Sequence, residues 1–420
     1  RVARRKFLSI PADIPRYYVA SDQVQVLASA LQADTSATLV SDSQWQQVPA
    51  RNLLAEVCPG TGVSTDPDQS PVVFHAYYDS VSVVPDLAPG AEQSCGAATL
   101  LDLARYFAAH PASRPVHVLF TGGHGQALAG MTHYVRTLQE SDAPAPGLMI
   151  GLDLSSHSDA FGVFCLGHFR GQPEGSIRHK FSLLGSTLAS FARSYRGVDE
   201  SDSASDRFFV DGINLSGKRG WWSFFPFRTA FESEVPTLAG IPAITLATLN
   251  DDRRFVDTPD DTLAHVNFDM LGRQVLARPG EHVGILGLAR AVTQWKGPFV
   301  SSKLDNRMAT IRGRAVWLDQ RRNYTPNEPL VGAMVFLKKK EGDRDLLGTR
   351  GLLACMTDAL GQFSLDGLKR GETPCAVEIY GTASPEFLKR NADAVAQYRQ
   401  VVQQANTLAG DASDEDIVVD

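Results

Sequence analysis

The sequence lacks the features that mark membrane-spanning and nucleic-acid-binding proteins. Its longest apolar runs, such as Gly147–Leu154, are far shorter than the roughly 20 residues that cross a bilayer as a helix. Lys and Arg number 40 against 47 Asp and Glu, so the net charge of -7 provides no basic surface for nucleic acid. We therefore expect a globular protein without a nucleic-acid partner.

Cysteine is also scarce. The five cysteines are an odd number and show no CxxC spacing, so a structural zinc knuckle is not expected. We favour cysteines that are buried as small hydrophobic residues, with a Cys355–Cys375 disulfide within the C-terminal region as the alternative. Cys95 precedes a predicted helix that can lower its pKa, but no His partner is identified, and no Gly-x-Ser-x-Gly elbow is present. A catalytic thiol or serine is therefore not favoured.

The two ends of the chain are abrupt. It starts at Arg1 without a signal peptide and stops on the strand-like Ile417–Asp420. We expect both ends to be cuts through a longer protein. The sequence therefore does not decide whether the missing segments contain a signal peptide or a membrane anchor.

Short apolar runs alternate with amphipathic stretches over residues 51–297. This alternation is typical of an α/β fold with a mostly parallel central sheet and helices on both faces. Ligand sites in such folds lie at the carboxyl ends of the strands. The predicted strands are Val72–Tyr77, Val116–Thr121, Met149–Asp153 and Ala243–Ala247, and the predicted helices are Gly96–Ala109, Gly125–Gln139, Ser176–Arg193 and Pro279–Trp295.

The pattern changes on either side of that segment. Residues 305–382 are β-rich and predict a small β-sandwich with strands at Thr310–Leu318, Ala333–Leu337, Gly361–Leu365 and Cys375–Tyr380. Residues 383–420 are predicted to contain a polar helix, Pro385–Leu408, followed by the tail of a truncated region. The sequence pattern of residues 1–50 is typical of the end of another domain, and it predicts a helix near Gln23–Leu31.

Motifs across residues 51–297 occur in a consistent order. They are Arg51–Val57, Val72–Phe74, Tyr78–Ser80, Pro89–Ala91, Phe120–Met131, Leu152-Asp153, Gly240–Ala243 and Thr258–Thr262. This segment resembles the zinc aminopeptidase-type exopeptidases, which include bacterial leucyl aminopeptidase, glutamate carboxypeptidase, glutaminyl cyclase, the transferrin receptor and nicastrin. For active members the resemblance implies two zinc ions that share a bridging carboxylate, and a glutamate that acts as general base.

The first zinc-ligand position departs from the family pattern. The family places a His two residues before an Asp on one strand; here Asp79 keeps the Asp place and Tyr77 stands in the His place. A phenol with a pKa near 10 is a poor zinc ligand at neutral pH. His75 lies on the same strand face, but roughly 6–7 Å further back, and metal bonds tolerate shifts of only about 0.2 Å.

The bridging and base positions depart as well. The loop after Pro89–Ala91 is one residue short, and Gln93 is the nearest equivalent of the bridging Asp, with Glu92 as a substitute. The family's Gly-Glu-Glu aligns with Gly123–Gly125, so His124 replaces the base and Gly125 replaces a zinc ligand. A neutral amide bridges two cations poorly, and glycine has no side chain to donate.

Two ligand positions remain. Asp153 keeps its place after an apolar strand, whereas Asp257 replaces the His of the family's His-Thr-Pro-x-Asp-Thr motif. With Asp153 alone intact, the resemblance predicts no catalytic residues and no metal or other cofactor. The alternative is one zinc ion held by His75, Asp79, His124, Asp153 or Asp257. Hydrogen-bonded or solvated acids explain such a pocket equally well.

Three further features allow two interpretations each. His124 is a base or ligand in an altered site, or a hydrogen-bonded structural residue. Glu234 lies where the family has substrate-side residues, and we favour a surface carboxylate. Trp221-Trp222 and Phe224-Phe225 form either a partner-binding patch or a buried insertion.

The flanking segments resemble two accessory domains. Gly313–Val316, Pro329, Gly332–Val335 and Thr357–Phe363 resemble a carboxypeptidase regulatory-like domain, a transthyretin-like β-sandwich that implies packing or adhesion rather than chemistry. Ile14–Val48 resembles the tail of a protease-associated domain.

Together these resemblances predict a pseudopeptidase that acts as a binding or scaffolding module in a larger assembly. We expect protein partners, an extracytoplasmic location (periplasmic, cell-surface or secreted) and membrane association through segments outside this chain. The alternative is a metal-dependent exopeptidase with a relocated or single-metal site, and metal content combined with peptidase activity distinguishes the two.

Overall fold

A computed structural model describes residues 17–32, 38, 40, 48–59, 70–84, 86–169, 174–194, 208–215, 220–226, 229–276, 283–317, 328–339, 354–370, 375–380, 401–405 and 415–419. Within these ranges the α-helices are α1 (Val24–Gln32), α2 (Cys95–Ala109), α3 (Ala129–Glu140), α4 (Glu174–Ser194), α5 (Glu234–Leu238), α6 (Phe268–Val275) and α7 (Ile285–Gln294). Every helix in the described part is too short or too polar to span a bilayer.

The strands fall into an N-terminal and a C-terminal group. The N-terminal group is β1 (Leu53–Cys58), β2 (Val72–Tyr77), β3 (Val116–Thr121), β4 (Leu148–Asp153), β5 (Phe161–Phe164), β6 (Phe209–Asp211) and β7 (Ala243–Thr248). The C-terminal group is β8 (Met308–Trp317), β9 (Glu328–Pro329), β10 (Met334–Lys339), β11 (Ala354–Met356), β12 (Gln362–Lys369), β13 (Cys375–Tyr380), β14 (Val401–Ala405) and β15 (Glu415–Val419).

The N-terminal strands form one seven-stranded sheet in the order β1-β3-β2-β4-β7-β5-β6. The four central strands β3, β2, β4 and β7 are parallel. At the two sides, β1 is antiparallel to β3 and β5 is antiparallel to β7. The predicted α/β fold class is confirmed, with a parallel centre between antiparallel edges.

Helices bury both faces of this sheet. Val72 and Phe74 of β2 pack in the same cluster as Phe107 of α2, whereas Val73 packs on the other face with Met131 of α3. Burial on both faces explains why the central strands are almost continuously apolar rather than alternating. Because β2, β3, β4 and β7 are parallel, their carboxyl ends lie at one edge of the sheet.

The C-terminal strands form two sheets, β11-β10-β13-β14 and β12-β8-β15, with β9 pairing to β8. Ala315, Val335, Phe363 and Val377 are buried in the core between them. The helix predicted for Pro385–Leu408 is wrong at its C-terminal end, because residues 401–405 form β14 beside β13. Tertiary pairing with the β13 edge overrides the polar local sequence. Residues 385–400 and 406–408 lie outside the described residues.

Two other expectations concern the flanks. The helix near Gln23–Leu31 is present as α1, whereas most of the segment that resembles a protease-associated domain lies outside the described residues. The Cys355–Cys375 disulfide is wrong. Cys355 pairs with Val335 of β10 and is a free thiol, whereas Cys375 pairs four residues further along that strand, about 13 Å away at the strand rise.

The close packing of α2 on β4 gives a stability prediction. A methyl group at Gly96 would collide with the carbonyl oxygen of Leu152, whereas a methyl group at Gly272 of α6 meets open space. We expect Gly96→Ala to lower the free energy of unfolding by about 1–3 kcal/mol through overpacking. Gly272→Ala should raise it slightly, by up to about 1 kcal/mol, through helix propensity. Thermal and chemical unfolding of both variants checks this, and equal effects would contradict the packing argument.

Candidate functional site

The candidate site lies where the parallel strands end. Tyr77, Thr121 and Asp153 are the last residues of β2, β3 and β4, so their side chains meet at one edge of the sheet. A small cavity opens there, lined by His75, Ala76, Tyr77, His124, Gly151, Leu152, Asp153, Glu232 and Thr245. The predicted positions His75, Tyr77, His124 and Asp153 therefore share one site.

A buried ion pair occupies the Asp153 position. Arg253 Nη1 donates to Asp153 Oδ1, and Nη2 donates to the main-chain carbonyl of the same residue at 2.9 Å. Arg253 is 6% exposed and Asp153 is 7% exposed. Burial opposes the charge on Arg253, but Asp153 outweighs it and raises the pKa of the guanidinium. Asp153 is thus bound to a protein cation.

The loop that carries Arg253 is conformationally restricted. Asn250, Arg253 and Asp257 all adopt positive φ, which costs a residue other than glycine on the order of 1 kcal/mol or more. The main-chain N–H of Arg253 donates to Asp251 Oδ1 at 2.8 Å. This contact helps to hold the loop in the conformation that aims the guanidinium at β4.

A second buried cluster centres on Glu232. Its Oε1 accepts a hydrogen bond from Thr121 Oγ1 at 2.5 Å, and its Oε2 lies 3.3 Å from His75 Nδ1. His124 Nδ1 lies 3.6 Å from Oε1, too far for a good hydrogen bond, so their attraction is mainly Coulombic. Burial alone would raise the pKa of Glu232, but His124 and His75 outweigh it and lower that pKa to about 2. Glu232 is therefore an anion held by two imidazoles.

Tyr77 and His124 stack in the middle of the site. Their ring centroids are 3.9 Å apart. Burial, followed by the charge of Asp153, raises the pKa of Tyr77 well above its ordinary value, so the phenol stays neutral. Burial opposes protonation of His124, but the Glu232 carboxylate reverses this and raises the pKa of His124.

The other predicted positions have local structural contacts. Asp79 Oδ2 accepts the main-chain N–H groups of Gly123 at 3.0 Å and of His124 at 3.2 Å, and burial raises its pKa. The Gln93 amide is bonded to both main-chain groups of Val81, at 3.2 and 3.0 Å. Asp79 and Gln93 thus shape the loops around the site.

Two replaced positions are constrained by their backbone. A Cβ atom at Gly125 would lie 2.9 Å from Val81 Cγ1, so a glutamate there requires Val81 to move. Asp257 accepts the N–H of Val83 through its carbonyl at 2.9 Å, and its charge contributes to the raised pKa of Tyr77. Glu92 is buried and separate from Gln93, with its carboxylate bonded to Ser156 and its Oε1 3.0 Å from His157 Nδ1.

The donor set at the family positions does not fit a pair of zinc ions. Tyr77 is a neutral phenol, Gln93 is a main-chain-bonded amide and Gly125 has no donor. Asp153, the intact ligand, already binds a guanidinium. A zinc–carboxylate bond of about 2.0–2.2 Å at Asp153 would require Arg253 to leave.

Sequence reasoning missed Glu232 and Arg253. Glu232 is one of two acids just before the apolar Val235-Pro236, and Arg253 follows directly after β7, at the sheet edge where ligands bind. Those positions were the available signals. Nothing in the sequence indicates which of Asp251, Asp252, Arg253 and Arg254 turns inward.

Three secondary expectations change. Glu234, expected at the surface, is buried and accepts the N–H groups of Phe231 and Phe169, each at 2.9 Å. Burial raises the pKa of Cys95, against the expected lowering by the helix terminus. In the aromatic cluster, Trp221, Phe224 and Phe225 are buried and Trp222 is half-exposed, which favours the buried insertion.

An open sheet with titratable side chains at the carboxyl ends of its parallel strands defines the α/β class whose members bind ligands at that edge. Residues 52–214, less than half of the chain, match the family model described as Peptidase family M28. This part of the chain is therefore similar to peptidase family M28, and the predicted resemblance to the zinc exopeptidases is confirmed. No curated protein matches the chain.

Several solved structures are similar to this chain. BSAP, a zinc aminopeptidase from Bacillus subtilis, has 15% identity and a TM-score of 0.34, covering 61% of this chain and 53% of its own. The LapA aminopeptidase of Legionella pneumophila has 14% identity and a TM-score of 0.35, covering 58% and 57%. The glutaminyl cyclase of Macrostomum lignano has 16% identity and a TM-score of 0.39, covering 59% and 73%. The chain thus spans little more than half of the two aminopeptidases, and such low similarity transfers no activity.

The cluster around Glu232 gives a pH prediction. Glu232→Gln removes the charge that favours the His124 imidazolium, so we expect a lower pKa for His124, measured by NMR titration. The attraction is complete below the ordinary His pKa of 6.5 and is lost as pH rises through the raised pKa of His124. The variant should therefore lose more stability at about pH 5 than at about pH 8.

Glu234→Gln is the matched control, because this equally buried carboxylate bonds main-chain N–H groups instead of an imidazole. It should leave the titration of His124 unchanged. If Glu232→Gln also leaves it unchanged, Glu232 does not set the charge of His124.

Proposed function

We propose that this chain is a catalytically inactive relative of the zinc aminopeptidases, a pseudopeptidase that serves as a binding or scaffolding module. The observation that carries the proposal is the ion pair between Arg253 and Asp153. A guanidinium neutralises the carboxylate and donates hydrogen bonds, but it has no open coordination position and does not generate hydroxide from water.

The base position supports the same conclusion. A general base works best when its pKa lies near the operating pH and its proton-accepting atom faces the reacting group. His124 instead stacks on Tyr77 and points Nδ1 toward Glu232, which raises its pKa and favours the protonated form. A raised pKa leaves less of the neutral, proton-accepting form of His124 at any given pH.

The connection between the two structural units supports a scaffolding role. Arg136 of α3 pairs with Asp366 of β12 at 2.7 Å, and Thr310 of β8 donates to the same carboxylate at 2.8 Å. The N–H of Arg307 also donates to the carbonyl of Leu238 at 2.8 Å. These contacts favour one composite surface over two independently moving units.

The proposed partners are proteins, and the proposed location is extracytoplasmic, with membrane attachment through segments outside this chain. This part of the proposal rests on the resemblance to the transferrin receptor and nicastrin. The grouping of His75, Asp79, His124, Asp153 and Asp257 around one zinc ion gains no support from their contacts, since Asp79 bonds the main chain and Asp153 bonds Arg253.

An activity assay tests the proposal directly. The purified chain, incubated with aminoacyl-anilide and dipeptide substrates and added zinc, is expected to release no amino acid above the blank, with or without a chelator. An active zinc aminopeptidase run in parallel shows that the assay works. Chelator-sensitive release of N-terminal residues would establish the exopeptidase alternative instead.

Reconstruction of the family's ligands gives a further prediction. Tyr77→His, Gln93→Asp, His124→Glu, Gly125→Glu and Asp257→His together are expected to bind no zinc beyond the wild-type content while Arg253 is retained. Adding Arg253→Ala should be necessary, because it frees Asp153.

Zinc per chain, measured after dialysis, checks this expectation, with Arg253→Ala alone as the control. Extra zinc in any variant that retains Arg253 would mean that the guanidinium does not block the site.

A further inference from the structure

A separate group of metal-binding side chains lies beside the Arg253 ion pair. One ligand atom each from Glu92, His157 and Asp251 lies within 4.8 Å of the others. We propose that these three residues form a binding site for one divalent transition-metal cation of the zinc type. The site does not contain Asp153; of the positions that the resemblance names, it includes Glu92, the substitute for Gln93 at the bridging position.

The fold explains why the three residues meet. Glu92 precedes α2, His157 follows β4 and Asp251 follows β7, and β4 and β7 are adjacent parallel strands. The carboxyl ends of β4 and β7 therefore place His157 and Asp251 at the same edge of the sheet. Glu92, in the loop before α2, provides the second carboxylate.

The two carboxylates are already oriented by donors that leave them room to bind a cation. Glu92 Oε2 accepts the N–H of Ser156 at 2.8 Å. Asp251 Oδ2 accepts the N–H of His157 at 3.1 Å, and its Oδ1 accepts the N–H of Arg253 at 2.8 Å. A carboxylate oxygen has two lone pairs, so each of these oxygens keeps acceptor capacity. Outer hydrogen bonds of this kind hold metal ligands in place.

The local charge favours a cation. Glu92, Asp251 and Asp153 are all buried here beside the Arg253 guanidinium, which donates to Asp153 and whose charge also acts on Asp251. Buried carboxylates are costly unless they are paired or coordinate a metal. His157 is the group beside Glu92 that can supply positive charge, and a divalent cation between Glu92 and Asp251 would supply more.

The donor types and the access route select the kind of ion. One imidazole nitrogen with two carboxylate oxygens suits zinc and its neighbours better than calcium or magnesium, which prefer oxygen alone. Tetrahedral ligands at about 2.1 Å lie about 3.4 Å apart. The Glu92–His157 contact is already 3.0 Å and the three ligand atoms lie within 4.8 Å of one another, so a small rotation of the His157 side chain with small shifts of the carboxylates reaches that spacing. The His157 side chain is 33% exposed and gives the ion a path from solvent.

Metal binding here does not conflict with the absence of catalysis. Asp153 stays paired with Arg253, and neither zinc hydrolysis chemistry nor a general base is required for the cation to bind. The cation would instead tie the loops after β4 and β7 to the start of α2.

Binding to the whole chain tests the proposal. Equilibrium dialysis with zinc at neutral pH is expected to give one ion per chain, and excess magnesium should not displace it. His157→Ala should weaken zinc binding by at least about tenfold, because it removes the nitrogen ligand while the main-chain bond to Asp251 stays. His265→Ala is the matched control: His265 also flanks Phe255 but belongs to no metal-binding group among the described residues.

A second variant and a direct measurement keep the test decisive. Should His157→Ala fail to fold, Asp251→Asn retains the shape and one acceptor oxygen and should weaken binding similarly. Anomalous scattering from a zinc-soaked crystal should peak between Glu92, His157 and Asp251. No zinc binding by the wild-type chain, unchanged affinity in these variants, or a peak at Asp153 would each overturn the proposal.

Discussion

Arg253 reaches Asp153 from a loop held in a left-handed backbone conformation, and both partners are almost wholly buried. Breaking such a pair by removing one partner typically costs about 3–5 kcal/mol, because an uncompensated charge remains inside. Neither residue can therefore change alone without a large loss of stability. The pair fixes the electrostatics of the strand edge, where Arg253 takes up one carboxylate oxygen and the main-chain carbonyl of Asp153.

The neighbouring side chains are consistent with that fixed cation. Burial and the negative charge of Asp153 keep Tyr77 a neutral phenol beside the ion pair. Gly125 leaves space that Val81 fills, and Gln93 binds the main chain of the same residue. Glu232 holds His75 and His124 in a second charged cluster. Tyr77, Gln93 and Gly125, which stand where the resemblance expects metal donors, thus all lie in packing or hydrogen-bonding contacts.

Sequence patterns predicted the features that depend on local periodicity and burial. The central strands Val72–Tyr77 and Val116–Thr121 were placed correctly, because apolar runs between turn residues leave little choice of structure. The site was predicted less fully. Glu232 contacts Thr121, 111 residues away in the sequence, and Arg253 contacts Asp153, 100 residues away. No local sequence pattern encodes contacts over such separations.

The wrong predictions share the same physical origin. Val401–Ala405 is a strand because β13 offers an unpaired edge, and Glu234 is buried because two main-chain N–H groups require its carboxylate. In both cases a distant backbone supplies the deciding hydrogen bonds. Local composition favours a polar helix at Val401–Ala405 and a surface position for Glu234, because burying polar groups without partners is unfavourable. It does not reveal the distant hydrogen-bond partners that offset this cost.

The acids at the strand edge are neutralised by different means. Asp153 has a guanidinium, Glu232 has two imidazoles and Asp79 has main-chain N–H groups. Glu92 and Asp251 accept hydroxyl and main-chain donors, with the partly exposed His157 imidazole beside Glu92 and the Arg253 charge acting on Asp251 as well as on Asp153. A sheet edge built from buried acidic residues requires compensating positive charge or hydrogen-bond donors, and here protein side chains supply much of it.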